Sequence, residues 1–481
     1  MNFSIKKTLS LSLAVCMAAT MFAGCKKSNE GTSSDSSDEW EIIEEIIEVP
    51  NASGSDTSSD SQASSGSSGN QASGKQTNLS WKEVKALIPA SAKGKTIEVS
   101  SWNPLNYVKQ APTVVSRFER ETGIKIKWTV TSDFDNVSVA ARIAAGDAPD
   151  IVRCRGGVTP TTIKVLQPLA DINYNFNDAY WDKSTEKAYT VDGKAYATSL
   201  TNSPFLGYAI VAYNTDLIDN YGLEDPYTLW KKGQWTWDKM HDIARKFLKA
   251  AGDGYNGISQ SNIQYADCMG VPSVAFNGKT FYHNIDNPKF LAACKYMAQA
   301  NSEGLYDSQP LDNDGFNSGK LLFLLVQTMA MRTAHNYFRE LKERGLVKCV
   351  PMPAVDGQSE YYALAGEREA YGIAKGSKNA DIAPFFLRYY LDEANYDMSS
   401  FYADDSVKEV VKWYSTQTTW GDPNIAATFM TADTIGMTHG PFAQQIINTS
   451  PAQMSSRLDS YVPKFDAAVD DFNAQLKANI K

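Results

Sequence analysis

The residues best suited to hold a small polar ligand follow strand-like runs. Thr96-Ile97-Glu98-Val99-Ser100 reads as a strand, and Ser101-Trp102-Asn103-Pro104 comes straight after it. An indole at a strand's carboxyl end offers a flat apolar face for a ring, and the Asn103 amide can both donate and accept. Packing into a core is the competing role for Trp102. Asp133, just past a second strand-like run, can accept from hydroxyls or cap a helix. After a third run, Arg153-Cys154-Arg155-Gly156-Gly157 offers the Arg155 fork to paired hydroxyls or a carboxylate, with a surface ion pair as the alternative.

Other chemistries find less support. The four histidines are His241, His283, His335 and His439, and no two are three to five residues apart, so no histidine-built metal centre is expected. Asp312-Asn313-Asp314-Gly315 has the composition of a calcium loop, but the register would put Pro310 first and Leu321 last, so no metal is expected there. No Gly-x-Ser-x-Gly elbow, phosphate loop, His-Glu-x-x-His or Cys-x-x-Cys occurs in 79–481. No cofactor is implied. Two separated carboxylates leave no local signature, so a secreted glycan hydrolase stays as the alternative from the enzyme class.

The elements that must position these residues alternate between strand and helix. Pro112–Thr122 reads as a helix stopped by Gly123, and Ile124–Val130 as the second strand. Ser138–Ala145 reads as a helix closed by Gly146, and Pro149-Asp150-Ile151-Val152 opens the third strand. That order implies an α/β fold with a parallel sheet. Thr236 is a suitable cap for a helix Asp238–Ala250, and Ile382–Leu391 and Tyr461–Ile480 are also helical in pattern. Trp235 and Trp237 are expected to pack the start of their helix. At 481 residues and 43% hydrophobic composition the chain can bury a large core, and its net charge of −9 argues against nucleic acid as a partner.

The N-terminal residues read as an address and a tether. Lys6 and Lys7 precede a short apolar run, Leu9–Phe22, too short to span a bilayer. Met21-Phe22-Ala23-Gly24-Cys25 resembles a bacterial lipobox, which implies cleavage after residue 24 and a lipid on Cys25, so residues 1–24 are assigned as a signal peptide. Residues 25–78 carry three Lys against ten Asp and Glu, and ten of the 24 residues from Asn51 to Gly74 are Ser. Such a segment cannot form a core, and a flexible run of that length spans roughly 40 Å. The island Glu39–Val49, with paired Ile at helical spacing before Pro50, suits a transient helix or a docking segment.

A run of short motifs resembles family 1 extracellular solute-binding proteins, the receptors of sugar-type ABC importers. Its centre is Ala140-Ala141-Arg142-Ile143-Ala144-Ala145-Gly146-Asp147-Ala148-Pro149-Asp150-Ile151-Val152. Phe118–Ile126, Leu166–Asp171, Asp192–Ala197, Ala212–Leu217, Trp235–Asp238, Phe316–Lys320 and Gly372–Lys378 follow in the family's order. Each is weak alone; in order, across 95–392, they are specific.

The resemblance implies a two-lobe periplasmic-binding-protein-like fold of type II, with crossing strands and a ligand cleft between the lobes. Crossings near Ser203–Tyr208, Val326–Met329 and Gly372–Lys375 give lobe one 79–208 and 328–372, and lobe two 209–327 and 373–481. It also implies a carbohydrate ligand, delivery to ABC permease subunits, membrane attachment through Cys25, an extracytoplasmic place and a monomer. A sensor kinase is the alternative receiver.

Carried residue by residue, the resemblance adds Asn202 and Tyr208 at the first crossing, Tyr265 in lobe two, and Gln327 and Arg332 at the second crossing. It further adds Glu367 before the third crossing, and Trp420 and His439 in C-terminal loops. Two aromatic positions of maltose-type relatives are absent: Cys154 stands near one, and Gln327-Thr328-Met329 replaces the other. Under the lobe map Cys154 and Cys349 share lobe one, and Cys268 and Cys294 share lobe two. Buried free thiols are expected, with no cross-lobe disulfide.

Overall fold

Alternation along Ile151–Cys154 decides how the chain is layered. Ile151 and Val152 point to opposite faces of a strand, and each belongs to a separate hydrophobic core. The computed structural model describes residues 78–131, 136–154, 157–259, 270–306, 313–333, 338–355, 367–368, 370–416 and 445–480. Those in 72–481 form one compact unit.

The first sheet has the order β2-β1-β3-β9-β4. Its strands are β1 (Thr96–Ser101), β2 (Lys125–Val130), β3 (Ile151–Cys154), β4 (Ala197–Thr198) and β9 (Ala370–Ile373). β1 runs parallel to β2 and β3, whereas β9 runs antiparallel to β3 and β4. Helices α1 (Ala111–Thr122), α2 (Val137–Ala144) and α3 (Pro160–Val165) follow the first three strands. Gly123 closes α1 at a φ of 73°, a backbone conformation that glycine adopts without strain.

The second sheet has the order β8-β5-β7-β6. It comprises β5 (Ala209–Asn214), β6 (Asn256–Ile258), β7 (Leu321–Gln327) and β8 (Val347–Pro351). β7 is apolar and buried from Leu321 to Val326, as a strand covered on both faces must be. Helix α4 (Trp237–Ala251) starts at Thr236, whose hydroxyl accepts from the Lys239 amide at 3.2 Å. Trp237, its first residue, and Trp235, just before its cap, are fully buried, and Trp235 Nε1 donates to the Pro351 carbonyl at 2.9 Å.

The lobe boundaries differ from those expected. β8 was assigned to lobe one but pairs with β5 in the second sheet, so residues 347–351 belong to lobe two. The turn Thr328–Met331 is therefore not a crossing to lobe one. A central strand as apolar as β5 needs partners on both edges, and β7 and β8 supply them. Gly372–Lys375 is not a crossing either: Gly372 and Ile373 end β9 inside the first sheet, and Ala374 pairs with Leu166. Helix α5 (Ala383–Tyr390), assigned to lobe two, packs on lobe one, with Phe386 edge-on to Phe118 of α1 at 5.2 Å. Helix α6 (Asp405–Thr416) returns to lobe two: Ser406 Oγ accepts from the Cys349 amide of β8 at 3.0 Å. The C-terminal helix α7 (Val462–Ile480) again reaches lobe one, where Asn479 Nδ2 donates to the Pro160 carbonyl at 2.8 Å. Lys375 Nζ reinforces this by donating to the Ile163 and Asn479 carbonyls.

Cys154, Cys294 and Cys349 are buried, and Cys268 lies outside the described residues. Cys349 sits in lobe two rather than lobe one, and Cys154 and Cys294 share one core.

The motif Ala140–Val152 is a latch. Arg142 grips Glu98 of β1 with two guanidinium nitrogens, at 2.8 and 3.1 Å, and Asp147 with Nε at 3.1 Å. Asp150 accepts from the Glu98 amide, Ser377 Oγ and Asn379 Nδ2 at 2.7–3.1 Å, tying β1 to the loop after β9. Burial would raise the Glu98 carboxyl, but hydrogen bonds from Arg142, Thr129 and Lys127 outweigh it and hold it at about 2. A depressed carboxyl stabilises the fold above its ordinary pKa and loses that contribution as pH falls toward 2. Glu98→Gln should thus cost about 1–2 kcal/mol at pH 7, discounted for the exposed Lys127 partner. The gap to the parent protein should narrow in denaturation curves as pH falls below about 4.5 and close only as it passes about 2.

Gly372 in β9 is closely covered by its neighbours. A Cβ there would lie 2.5 Å from Leu166 Cδ1 and 2.8 Å from the Tyr196 carbonyl oxygen. The backbone contact cannot rotate away, so Gly372→Ala should lower stability by about 2–3 kcal/mol, read as a fall in Tm.

Candidate functional site

The carboxyl ends of β1 and β3 bring Trp102 onto Arg153. The guanidinium carbon lies 4.1 Å from the indole centroid. Arg153 is 3% exposed, donates from Nη1 to Ser101 Oγ at 3.4 Å, and has its carbonyl met by Asn136 Nδ2 at 3.4 Å. The loop is fixed on its other side: Asn103 N donates to Ser101 Oγ at 3.2 Å, and Trp128 Nε1 donates to the Asn103 carbonyl at 2.9 Å. Trp102 itself is part exposed and, among the described residues, belongs to neither hydrophobic core. Its ring is therefore backed by a charged side chain rather than submerged in apolar packing. Sequence reasoning chose Arg155 and passed over Arg153. The available signal was an arginine in the otherwise apolar strand Ile-Val-Arg-Cys.

A second set gathers where the chain passes between lobes. Arg332 is 5% exposed and lies between the rings of Phe205 and Phe401, at 5.6 and 5.4 Å. Its Nη2 donates to the Pro204 carbonyl at 3.1 Å. The backbone pairs Arg332 with Tyr402, flanked by bonds from Thr333 N to Phe401 O and from Ala403 N to Met331 O. Arg332 thus clasps the first crossing to the segment that returns to lobe two. Lys342 Nζ donates to the Ala330 and Arg332 carbonyls at 3.0 and 2.9 Å. Burial, helped by neighbouring Arg339, pushes its pKa down to about 8. These residues line a groove of about 1300 Å³. One wall is α1 with the turn Leu105–Tyr107, the other is Arg332 and Thr333 with the helix Arg339–Glu343, and residues from 394 to 403 join them.

The remaining expected residues separate into distinct settings. Asn202 is half-buried and donates to Asp392 Oδ1 at 2.9 Å, tying the first crossing to the end of α5. Tyr208, expected to face a ligand, is 2% exposed and stacks on Tyr414 of α6 at 5.0 Å; Tyr414 Oη also donates to the adjacent Ala209 carbonyl at 2.8 Å, which makes Tyr208 a core residue. Gln327 ends β7, and its Oε1 is buried without a hydrogen-bond partner among the described residues. The backbone of Glu367 pairs with Gly207, but its side chain lies outside the described residues. Asp133, Arg155, Tyr265, Trp420 and His439 also lie outside them. Among the described residues no group of three or more His, Cys, Asp or Glu is placed to hold a metal ion, and no helix is long and apolar enough to cross a membrane.

Comparison with known proteins places this geometry. Among curated proteins no sequence match is found. Solved structures share the fold at low identity. An ABC substrate-binding protein from Listeria monocytogenes in complex with cycloalternan is 16% identical, with a TM-score of 0.56 over 78% of this chain and 99% of that one. The GacH receptor of Streptomyces glaucescens, solved with acarbose, is 16% identical, with a TM-score of 0.57 over 77% and 98%. An ABC transporter associated binding protein from B. animalis subsp. lactis, in complex with beta-1,6-galactobiose, is 17% identical, with a TM-score of 0.56 over 79% and 98%. These are two-lobe, maltose-binding-like folds. The profile of the bacterial extracellular solute-binding proteins matches residues 104–397, more than half of the sequence. The chain belongs to the bacterial extracellular solute-binding protein family.

Proposed function

We propose that this protein is a lipid-anchored receptor that captures a carbohydrate between its lobes, closes on it by a hinge motion and delivers it to the permease subunits of an ABC importer. The observation that carries the reading is the Trp102 platform on Arg153, at the carboxyl ends of the lobe-one strands of a solute-binding fold. Open α/β sheets bind ligands beyond those strand ends, and facing sheets make a cleft between domains. The neighbours' sugars, cycloalternan, acarbose and beta-1,6-galactobiose, support a carbohydrate, with an oligosaccharide as the favoured size.

In this reading Trp102 stacks on a sugar ring, while Asn103 and Gln327 bond hydroxyls. Asp133, Arg155, Tyr265, Glu367, Trp420 and His439 complete the walls, and Asn202 and Arg332 serve the hinge side. The receptor works as a monomer and performs no chemistry on its ligand. A thermal-shift screen of the full-length protein against plant and host oligosaccharides tests the reading. Ligand at 100 times its Kd should add about 2.7 kcal/mol of stability. A panel that leaves Tm unmoved throughout contradicts it.

The anchor is tested separately. Residues 1–24 act as the signal and Cys25 carries the lipid, with the Ser-rich segment to residue 78 as tether. Cys25→Ser should abolish lipid labelling and shift the protein out of the membrane fraction. Unchanged labelling and fractionation would rule the anchor out.

A further inference from the structure

The groove beside the hinge is positive in a protein whose net charge is −9. Lys109, Arg117, Arg332, Arg339 and Lys342 line it, against the carboxylates of Glu343 and Asp397. Both carboxylates are already engaged. Glu343 accepts from Arg339 Nε at 2.7 Å, and Asp397 accepts from the Ser399 and Ser400 hydroxyls.

Arg332 is the unusual member. It is 5% exposed, no carboxylate among the described residues lies within 4.0 Å, and its Nε and Nη1 find no acceptor there. A buried guanidinium without a counter-charge costs stability, and natural proteins keep such a charge where something supplies its partner. Lys342 Nζ donates to the Arg332 main-chain carbonyl, and both residues line the groove. A concave wall with a surplus of positive charge focuses potential on an anionic ligand.

We propose that the ligand is an acidic carbohydrate, a uronate-bearing oligosaccharide whose carboxylate is set against Arg332 and Lys342. The inference rests on the carbohydrate reading above and adds the charge of the ligand. A planar guanidinium matches the planar carboxylate, and the groove's Tyr107 and Tyr402 flank it with aromatic surface. With about 1300 Å³ the groove has room for several sugar rings.

The test compares matched pairs on the full-length protein. Trisaccharides of galacturonate, glucuronate and mannuronate are titrated by calorimetry beside their carboxyl-reduced, neutral counterparts. At least one acid should bind ten times or more tighter than its reduced form. That ratio should shrink as salt rises from about 0.05 to 0.5 M, because screening weakens exposed charge interactions. Arg332→Gln should remove the discrimination. Should that variant fold poorly, Lys109→Gln with Arg339→Gln, both on exposed positions, should lower the ratio several-fold without moving apo Tm. Neutral sugars binding as well as the acids would overturn the inference while leaving the carbohydrate reading intact. If no sugar of either kind binds, both fall. A ratio unchanged in the charge-reduced variants would also remove the groove from recognition.

Discussion

Asp392→Ala should destabilise the protein by about 3–5 kcal/mol, the range for stripping one partner from a buried ion pair. Arg388 is 1% exposed and donates from Nη1 to Asp392 Oδ2 at 2.6 Å. Its guanidinium also lies 3.6 Å from the Tyr180 ring centroid and reaches the Leu79 carbonyl at 3.4 Å. Without Asp392 the charge stays buried with only a ring and a distant carbonyl. Asp392 also receives Asn202 Nδ2 and the Ala394 amide, so the same change frees the first crossing from the end of α5. Urea denaturation read by circular dichroism should show the loss as a lower midpoint. Asn202→Ala should cost about 1 kcal/mol, since it removes one partly exposed hydrogen bond to a charged group. If Asp392→Ala costs no more than Asn202→Ala, the buried pair does not hold this corner.

Trp102→Ala should lower affinity for the sugar ligand tenfold or more, about 1.4 kcal/mol, while apo Tm barely moves. The indole rests on Arg153 and joins neither core, so its removal opens little packed volume. A core tryptophan would behave otherwise: truncation would cost about 3–5 kcal/mol of stability and leave the folded protein's affinity intact. Calorimetric titration and melting of the same variant separate the two. A large fall in Tm with unchanged affinity would return Trp102 to the core and remove the platform.

Much of the first sheet was legible because its signals are local. Strands read from 96 and 124, the glycine after Thr122 and the Thr236 cap each rest on residues within a few positions, and the structure has each of them, the second strand starting at Lys125. The lobe map failed at β8 and α5 for the opposite reason. Which sheet Val347–Pro351 joins depends on β5, more than a hundred residues earlier, and its own alternation suits either sheet. Helix α5 is buried all round, so its pattern does not tell which lobe receives it. The specific motif around Arg142 and Asp150 was legible as a family mark, yet its work is to latch β1 to the loop after β9. Tyr208 was chosen from its place at a crossing, and only the stacking on Tyr414 reveals it as core. Arg153 was hidden because a strand pattern says which face a side chain takes but not that a tryptophan from the neighbouring loop covers it.

Closure of the two lobes on a sugar is the central claim, and a distance across the lobes tests it most directly. Spin labels at Lys127 in β2 and Lys246 in α4 occupy exposed positions, one on each lobe. Burial pushes the Cys154 thiol up to about 12 and the Cys349 thiol higher still, so both stay unreactive during labelling. Pulsed electron spin measurements should show one broad distance without ligand. Saturation with a stabilising oligosaccharide should replace it with a shifted, narrower distribution. The same distribution with and without a saturating, calorimetrically verified sugar would contradict capture by hinge closure.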